Sequence, residues 1–292
     1  MPFLGVLPER QYIFLPSPKS DIAVNDANAW RLHQQHRHIY NKLHVALSQG
    51  LNAAPSGVSP LSMGMVKTDR CFVKPITNLG GMSLNSFATT AGEIASSSIN
   101  EARNTTTNCA AGSFWCEFLT GPQTSSDILI LDGTPVWYAH TRAADLKNKN
   151  RPIYWEIGAD CHESEPIIET FIRRELAGYT GLCNVEMIGS NIIEAHLRGS
   201  NAFFDYYSDG FISAWVKLVD EQTWGGLVPI EQGCLYSIFS EQPMIEDAES
   251  QCLALGGRLY RDGLMYDRQG IVFCDSPTIG AEIEQVLLKQ HR

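Results

Sequence analysis

The chain has 292 residues, 44% of them hydrophobic and 18% charged, so it can bury a full core without a disulfide or metal staple. The formal net charge is -10 and the pI about 5.3, a balance that repels phosphate backbones and argues against broad nucleic-acid binding. No apolar run approaches the ~20 residues of a membrane span, and no membrane partner is expected.

Residues 1–28 are rich in proline, serine, asparagine and aspartate and read as an extended arm with one strand near 12–15. The opening stretch has no positive segment and is broken by prolines, so it does not read as a signal peptide; a cytoplasmic setting is expected. Helical spacing of Leu32, Ile39, Leu43 and Leu47 predicts one helix over 30–50, stopped by Gly50. A loop follows at 54–60. A strand is expected over 71–76, then a glycine turn at 78–83 and a returning strand over 83–89. Residues 91–102 read as a helix and 113–119 as a strand. Asp132-Gly133 marks a hairpin between 125–131 and 134–140.

Residues 141–151 carry Arg142, Lys147, Lys149 and Arg151 and few apolar side chains, and read as a solvated, mobile loop. A strand over 152–157 and a helix over 167–177 lead to a second hairpin, 182–188 and 191–195, around Gly189-Ser190. The tail alternates a helix over 208–218, a strand over 234–239, a helix over 244–255, a strand over 271–274 and a helix over 279–289. Hairpins mixed with helices predict an α+β fold, not a doubly wound parallel sheet. Eight cysteines form no C-x-x-C pair; several lie in apolar runs and are expected to be reduced, buried thiols.

Three groups of residues bear on chemistry. Val73-Lys74-Pro75 followed by Gly80-Gly81 puts a strand lysine beside a glycine tip, a way to hold phosphate with a point charge and open backbone N–H groups. An ordinary hairpin with an edge lysine has the same sequence, and no Walker A loop is present. Glu186 and Glu194 fall on adjacent hairpin strands, and Glu194, His196 and Arg198 alternate by two and share a face. Two carboxylates and an arginine suit Mg²⁺ bridging phosphates, while the bland reading is a polar solvent-facing strand. His33, His36, His38 and His44 crowd the first helix, but no cysteine or carboxylate pattern completes a metal site, and a solvated helix face is the simpler reading.

Taken in order, these pieces resemble the ATP-grasp superfamily between about Tyr40 and Asn201. Asn41-Lys42-Leu43 before Ala54-Pro55 is similar to its "(N/D)-K" helix and proline loop. Phe72-Val73-Lys74-Pro75 and Gly80-Gly81-Met82-Ser83 are similar to its strand lysine and glycine-rich loop. Glu117-Phe118-Leu119-Thr120-Gly121-Pro122, then Ser125-Ser126-Asp127, resembles its hinge and hairpin. Asn184-Val185-Glu186 and Glu194-Ala195-His196-Leu197-Arg198 resemble its "V-E…E-x-N-x-R" strands.

The resemblance implies two subdomains holding a nucleotide between antiparallel sheets. An arm and the start of the first helix would occupy 1–39, a small subdomain 40–112, and a large subdomain with a C-terminal extension 113–292. It implies an ATP-dependent ligase that activates a small carboxylate as an acyl phosphate for an amine. The alternative is a nucleotide-binding or regulatory protein without turnover. Lys42 and Lys74 would contact the phosphates, with Gly80, Gly81, Met82 and Ser83 covering them. Glu117, Phe118, Leu119 and Asp127 would also contact the nucleotide. Glu186, Glu194 and His196 would hold Mg²⁺ or Mn²⁺, and Arg198 with Lys74 would act on the transferring phosphoryl group. His196 departs from the family's asparagine, and histidine is a poorer magnesium ligand. The arm is too short for the family's usual preceding α/β domain, so a second copy or a partner subunit would supply that wall, or the substrate site differs.

Overall fold

The computed structural model describes residues 2–77, 85–96, 110–145, 147–148, 151–226, 228–261 and 267–288. Two short strands, β1 (Phe3–Leu4) and β2 (Ile22–Ala23), pair in parallel within the N-terminal arm. The arm does not run free: Phe3, Phe14, Ile22 and Val24 are buried in the main core. The single helix expected over 30–50 is divided into α1 (Asp26–Leu32), a 3-10 turn (Gln34–Tyr40) and α2 (Lys42–Ser48). Asparagines set two of these starts: Asn25 Oδ1 accepts from Asn28 N, and Asn41 Oδ1 from His44 N, each satisfying a first-turn donor.

A four-stranded antiparallel sheet follows, in the order β3 (Ala53–Pro55), β6 (Ser113–Glu117), β4 (Arg70–Pro75), β5 (Phe87–Thr90). The β3 strand occupies part of the expected proline loop; it is a short edge paired only through Ala53, Ala54 and Pro55, where proline's missing donor costs least. Helix α3 (Ala91–Ser96) packs beside this sheet.

The larger sheet has eight strands, all antiparallel. Their order is β13 (Asn191–His196), β12 (Gly181–Ile188), β7 (Gln123–Leu131), β8 (Thr134–Ala143), β11 (Tyr154–Ile157), β14 (Gly233–Phe239), β16 (Arg268–Cys274), β15 (Arg258–Arg261). The β7–β8 turn is the expected Asp132-Gly133, with φ of 47° and 72°, the left-handed pair that a two-residue hairpin requires. Both faces of the sheet are covered, which is why β7 reads as the continuous run Ile128-Leu129-Ile130. Ile128 and Ile130 pack under α4 (Glu165–Glu175), and Leu129 packs on the opposite face with α5 (Gly210–Glu221). Helices α6 (Ala248–Ala254) and α7 (Pro277–Leu287) cover β14 and β16.

The expected loop at 141–151 is largely structured where described. Thr141 to Ala143 end β8, and β9 (Lys147–Asn148) pairs with β10 (Arg151–Pro152). Arg151 is buried, with two nitrogens on Asp267 at 2.8 and 2.7 Å. The seven described cysteines are free and buried, as expected; Cys109 lies outside the described residues. No described helix is long and apolar enough to cross a membrane.

Candidate functional site

The site begins with an irregularity in β13. Glu186 pairs with Glu194, yet the next partner of β12, Met187, pairs with Ile192, so Ile193 is an extra residue bulged out of the ladder. Without it, Ile192, Glu194 and His196 would share one face by strict alternation. With it, Ile192, Ala195 and Leu197 all reach the core beneath α4, while Glu194, His196 and Arg198 turn the other way. Two rows of polar side chains then cross three strands: Ser125, Glu186 and Glu194 in one, Asp127, Asn184 and His196 in the next.

The bulge also frees a carbonyl. Lys74 Nζ donates to Ile193 O at 3.0 Å, and Lys42 Nζ lies 2.8 Å from Glu194 Oε1. The lysine of the small sheet, the first residue of α2 and the acidic strands of the large sheet therefore converge. Lys42 is positioned by the Asn41 cap and by its own N–H, which donates to Ile76 O at 2.8 Å.

His196 and Arg198 are anchored by a residue that sequence reasoning did not single out. Asp26, from α1, places Oδ1 2.9 Å from His196 Nδ1 and Oδ2 2.9 Å from Arg198. His196 Nε2 lies 3.1 Å from Glu194 Oε1. Both ring nitrogens thus face carboxylates, so His196 bridges Asp26 and Glu194, and Glu186, Glu194 and His196 bring their ligand atoms within 4.8 Å of one another. Burial pulls its basicity down and Arg198 adds to that, but Asp26 and Glu194 outweigh them and the net shift is upward, toward imidazolium. Only the N-cap asparagine at position 25 hinted at Asp26, as the first residue of a helix.

The remaining expected residues are spread more widely. Asp127, expected beside the nucleotide, is fully buried and accepts from Asn184 Nδ2, Ser200 N and the Tyr207 hydroxyl, so its carboxylate anchors these three elements to one another. Glu117 and Phe118 line a cavity of about 390 Å³ with Asn52, Asp69, Arg70 and Thr120, and the Arg70 guanidinium lies 3.5 Å from the Phe118 ring centre. Leu119 follows β6 half-buried and is not among the lining residues. Gly80, Gly81, Met82 and Ser83 lie outside the described residues. Arg70, Phe72 and Lys74 alternate along one face of β4, so the cavity end of the strand is four residues, ~13 Å, from the lysine end.

The charges at this centre are unbalanced in a telling way. Burial pushes the Lys74 ammonium down, with Lys42 adding repulsion. Burial pushes Glu186 up, with Glu194 adding repulsion. Among the described residues Glu186 has no cation at ion-pair distance, whereas Glu194 has Lys42 and His196, both on Oε1. An anion beside Lys74 and a hard cation held by Glu186 and Glu194 would relieve both strains. The residues present therefore fit a Mg²⁺ ion through their two carboxylates.

No family model matches the chain, and no curated protein matches it in sequence. Solved structures match over most of its length. The L-amino acid ligase from Bacillus licheniformis aligns with 97% of this chain and 83% of its own, at 12% identity and a TM-score of 0.61. The N5-carboxyaminoimidazole ribonucleotide synthetase from Thermus thermophilus aligns with 92% of this chain and 76% of its own, at 14% identity and a TM-score of 0.60. The carboxyaminoimidazole ribonucleotide synthase from Aspergillus clavatus, complexed with ATP, aligns with 87% and 75%, at 11% identity and a TM-score of 0.62.

Proposed function

Because this chain has the α+β architecture of the ATP-grasp fold, we propose that it is an ATP-dependent ligase activating a small carboxylate as an acyl phosphate for attack by an amine. The observation that carries the proposal is the convergence of Lys42 and Lys74 on the bulged, acidic strand β13, with Lys42 2.8 Å from Glu194. Two cations from one side and two carboxylates from the other are what a metal–triphosphate needs. The cavity beside Glu117 and Phe118 would take the base, and β4 spans a distance comparable to that from a purine to the γ-phosphate.

Mg²⁺, held by Glu186 and Glu194, would supply charge neutralisation of the phosphates when bound. The chain's own groups do the rest. Lys74 and Lys42 exchange their present contacts for phosphate oxygens. A carboxylate oxygen of the substrate attacks the γ-phosphorus, the bond to the β-phosphate oxygen breaks, and ADP leaves. Arg198, aimed by Asp26, stabilises the charge on the acyl phosphate. The amine then displaces inorganic phosphate and forms the C–N bond. The similar solved structures include an L-amino acid ligase and ribonucleotide synthases, which supports amino acids and small carboxylates as the first substrates to try.

A second reading, nucleotide binding without turnover, draws on His196, whose ring fills the place between Asp26 and Glu194. ADP release with ATP, Mg²⁺ and a panel of carboxylates separates the two, with hydroxylamine present to trap acyl phosphate as hydroxamate. The ligase yields ADP and hydroxamate with at least one carboxylate. Saturable ATP binding without ADP release across the panel would leave the second reading standing and the first without support.

A further inference from the structure

The histidines of the first helical stretch have no part in the site above, and the tertiary structure supplies the carboxylate their sequence lacked. His38 lies in the 3-10 turn, His44 in the first turn of α2, and Glu175 is the last residue of α4. His44 Nε2 is 2.9 Å from Glu175 Oε2, and His38 Nε2 is 3.2 Å from the same oxygen. The two rings meet edge to face, 5.4 Å apart. All three ligand atoms lie within 4.8 Å of one another. The other oxygen, Oε1, accepts from Arg174 Nε at 2.7 Å, which orients the carboxylate and leaves Oε2 to the histidines.

We propose that His38, His44 and Glu175 form a binding site for a divalent transition metal, with Zn²⁺ as its preferred ion. Two imidazole nitrogens and one carboxylate oxygen, from three separate elements, are a ligand set suited to zinc and poorly suited to magnesium or calcium. The site has a firm floor and an open mouth: the Glu175 side chain is 9% exposed, His38 38% and His44 41%, so water can complete the coordination. Its place at the C-terminal end of the 11-residue α4 favours a cation, because the last carbonyls and the helix dipole point negative charge there. Among the described residues a similar group, His140, His162 and Glu165, sits at the opposite, positive end of the same helix, which disfavours a cation. Bound metal would tie α2, which carries Lys42, to α4 on the large sheet, so zinc should raise stability as well as bind.

The site is independent of the ligase reading and is tested without nucleotide. The full chain, freed of metal, is titrated with Zn²⁺ in competition with a chromogenic chelator, and Co²⁺ is added separately to read ligand type by visible absorption. Wild type should bind one equivalent with Kd on the order of 1 μM or tighter. His38→Gln and His44→Gln, both at half-exposed positions, should keep their far-UV spectrum and lose roughly a hundredfold or more in affinity for that equivalent. The wild-type melting temperature should rise with zinc and that of the variants should not. Co²⁺ should give d–d bands without thiolate charge transfer. Equal zinc affinity in wild type and both histidine variants, or thiolate bands with Co²⁺, overturns the site.

Discussion

Lys74 donates to the Ile193 carbonyl next to Glu194, and Glu194 pairs with Lys42, so substitution of Lys74 and Glu194 tests the site most directly. Lys74→Ala removes a partly desolvated cation, and Glu194→Gln removes one of two metal-facing carboxylates. Each should weaken ATP·Mg²⁺ binding at least roughly tenfold while leaving the cooperative unfolding transition in place. Isothermal titration with an ATP analogue reads this, and unchanged affinity in both variants would count against the assignment. Asp26 makes a different prediction, in stability against pH. Its carboxyl is 8% exposed; burial raises its pKa, but Arg198 and His196 hold it well below the usual 3.8. That contribution is present above about pH 3.8 and is lost as pH falls through the folded value. His196 is shifted the other way, above 6.5, so its contribution is present below that value and fades as pH rises through the folded one. The cluster should stabilise the fold most between these limits. Asp26→Asn should cost ~3 kcal/mol within that window and flatten the acid limb, as measured by urea unfolding from about pH 3 to 8.

At the scale of the element, small local devices aim the site. The Asn41 cap starts α2 at Lys42, and Asn41→Ala should cost ~1 kcal/mol in urea unfolding. It should also raise the ATP concentration needed for half-saturation, because Lys42 is the first helical residue; a stability loss with unaltered ATP affinity would separate the cap from the site. The bulge at Ile193 is a second device, since it lets one strand satisfy the core under α4 and the charged face at once. Sequence alternation correctly grouped Glu194, His196 and Arg198, but not Ile192 on the opposite face, because an inserted residue leaves no mark in composition. The β9–β10 hairpin is a third element with a role to test. Lys147 donates to Gln123 Oε1 at 2.8 Å and feels the charge of Asp145 and Glu186, so added nucleotide and metal should slow hydrogen exchange at Lys147, Asn148 and Arg151. Exchange indifferent to ATP there would show that these strands take no part in nucleotide binding.

Across the whole molecule, the two sheets are joined by the segment between β6 and β7, residues 118–122, and meet again where Lys74 reaches Ile193. Nucleotide binding should therefore protect Arg70–Pro75 and Gly181–His196 together in hydrogen exchange; protection of only one sheet would mean that the ligand does not bridge them. Much of this plan was legible in the sequence, for reasons of local physics. The Asp132-Gly133 turn, the apolar run of β7 and the helical spacing of α4, α5 and α7 each report burial or backbone conformation within a few residues. The alternation that puts Glu194, His196 and Arg198 on one face is likewise local. What only the tertiary structure decided are the meetings between distant segments. Asp26 reaches His196 across 170 positions, and Glu175 reaches His44 across 131. The N-terminal arm enters the core, Asp127 turns out to be saturated from within, and a proline-bearing segment pairs as an edge strand. Periodicity specifies which face of each element is apolar; which polar groups then come into contact depends on how those faces are stacked to exclude water, a property of all the elements at once.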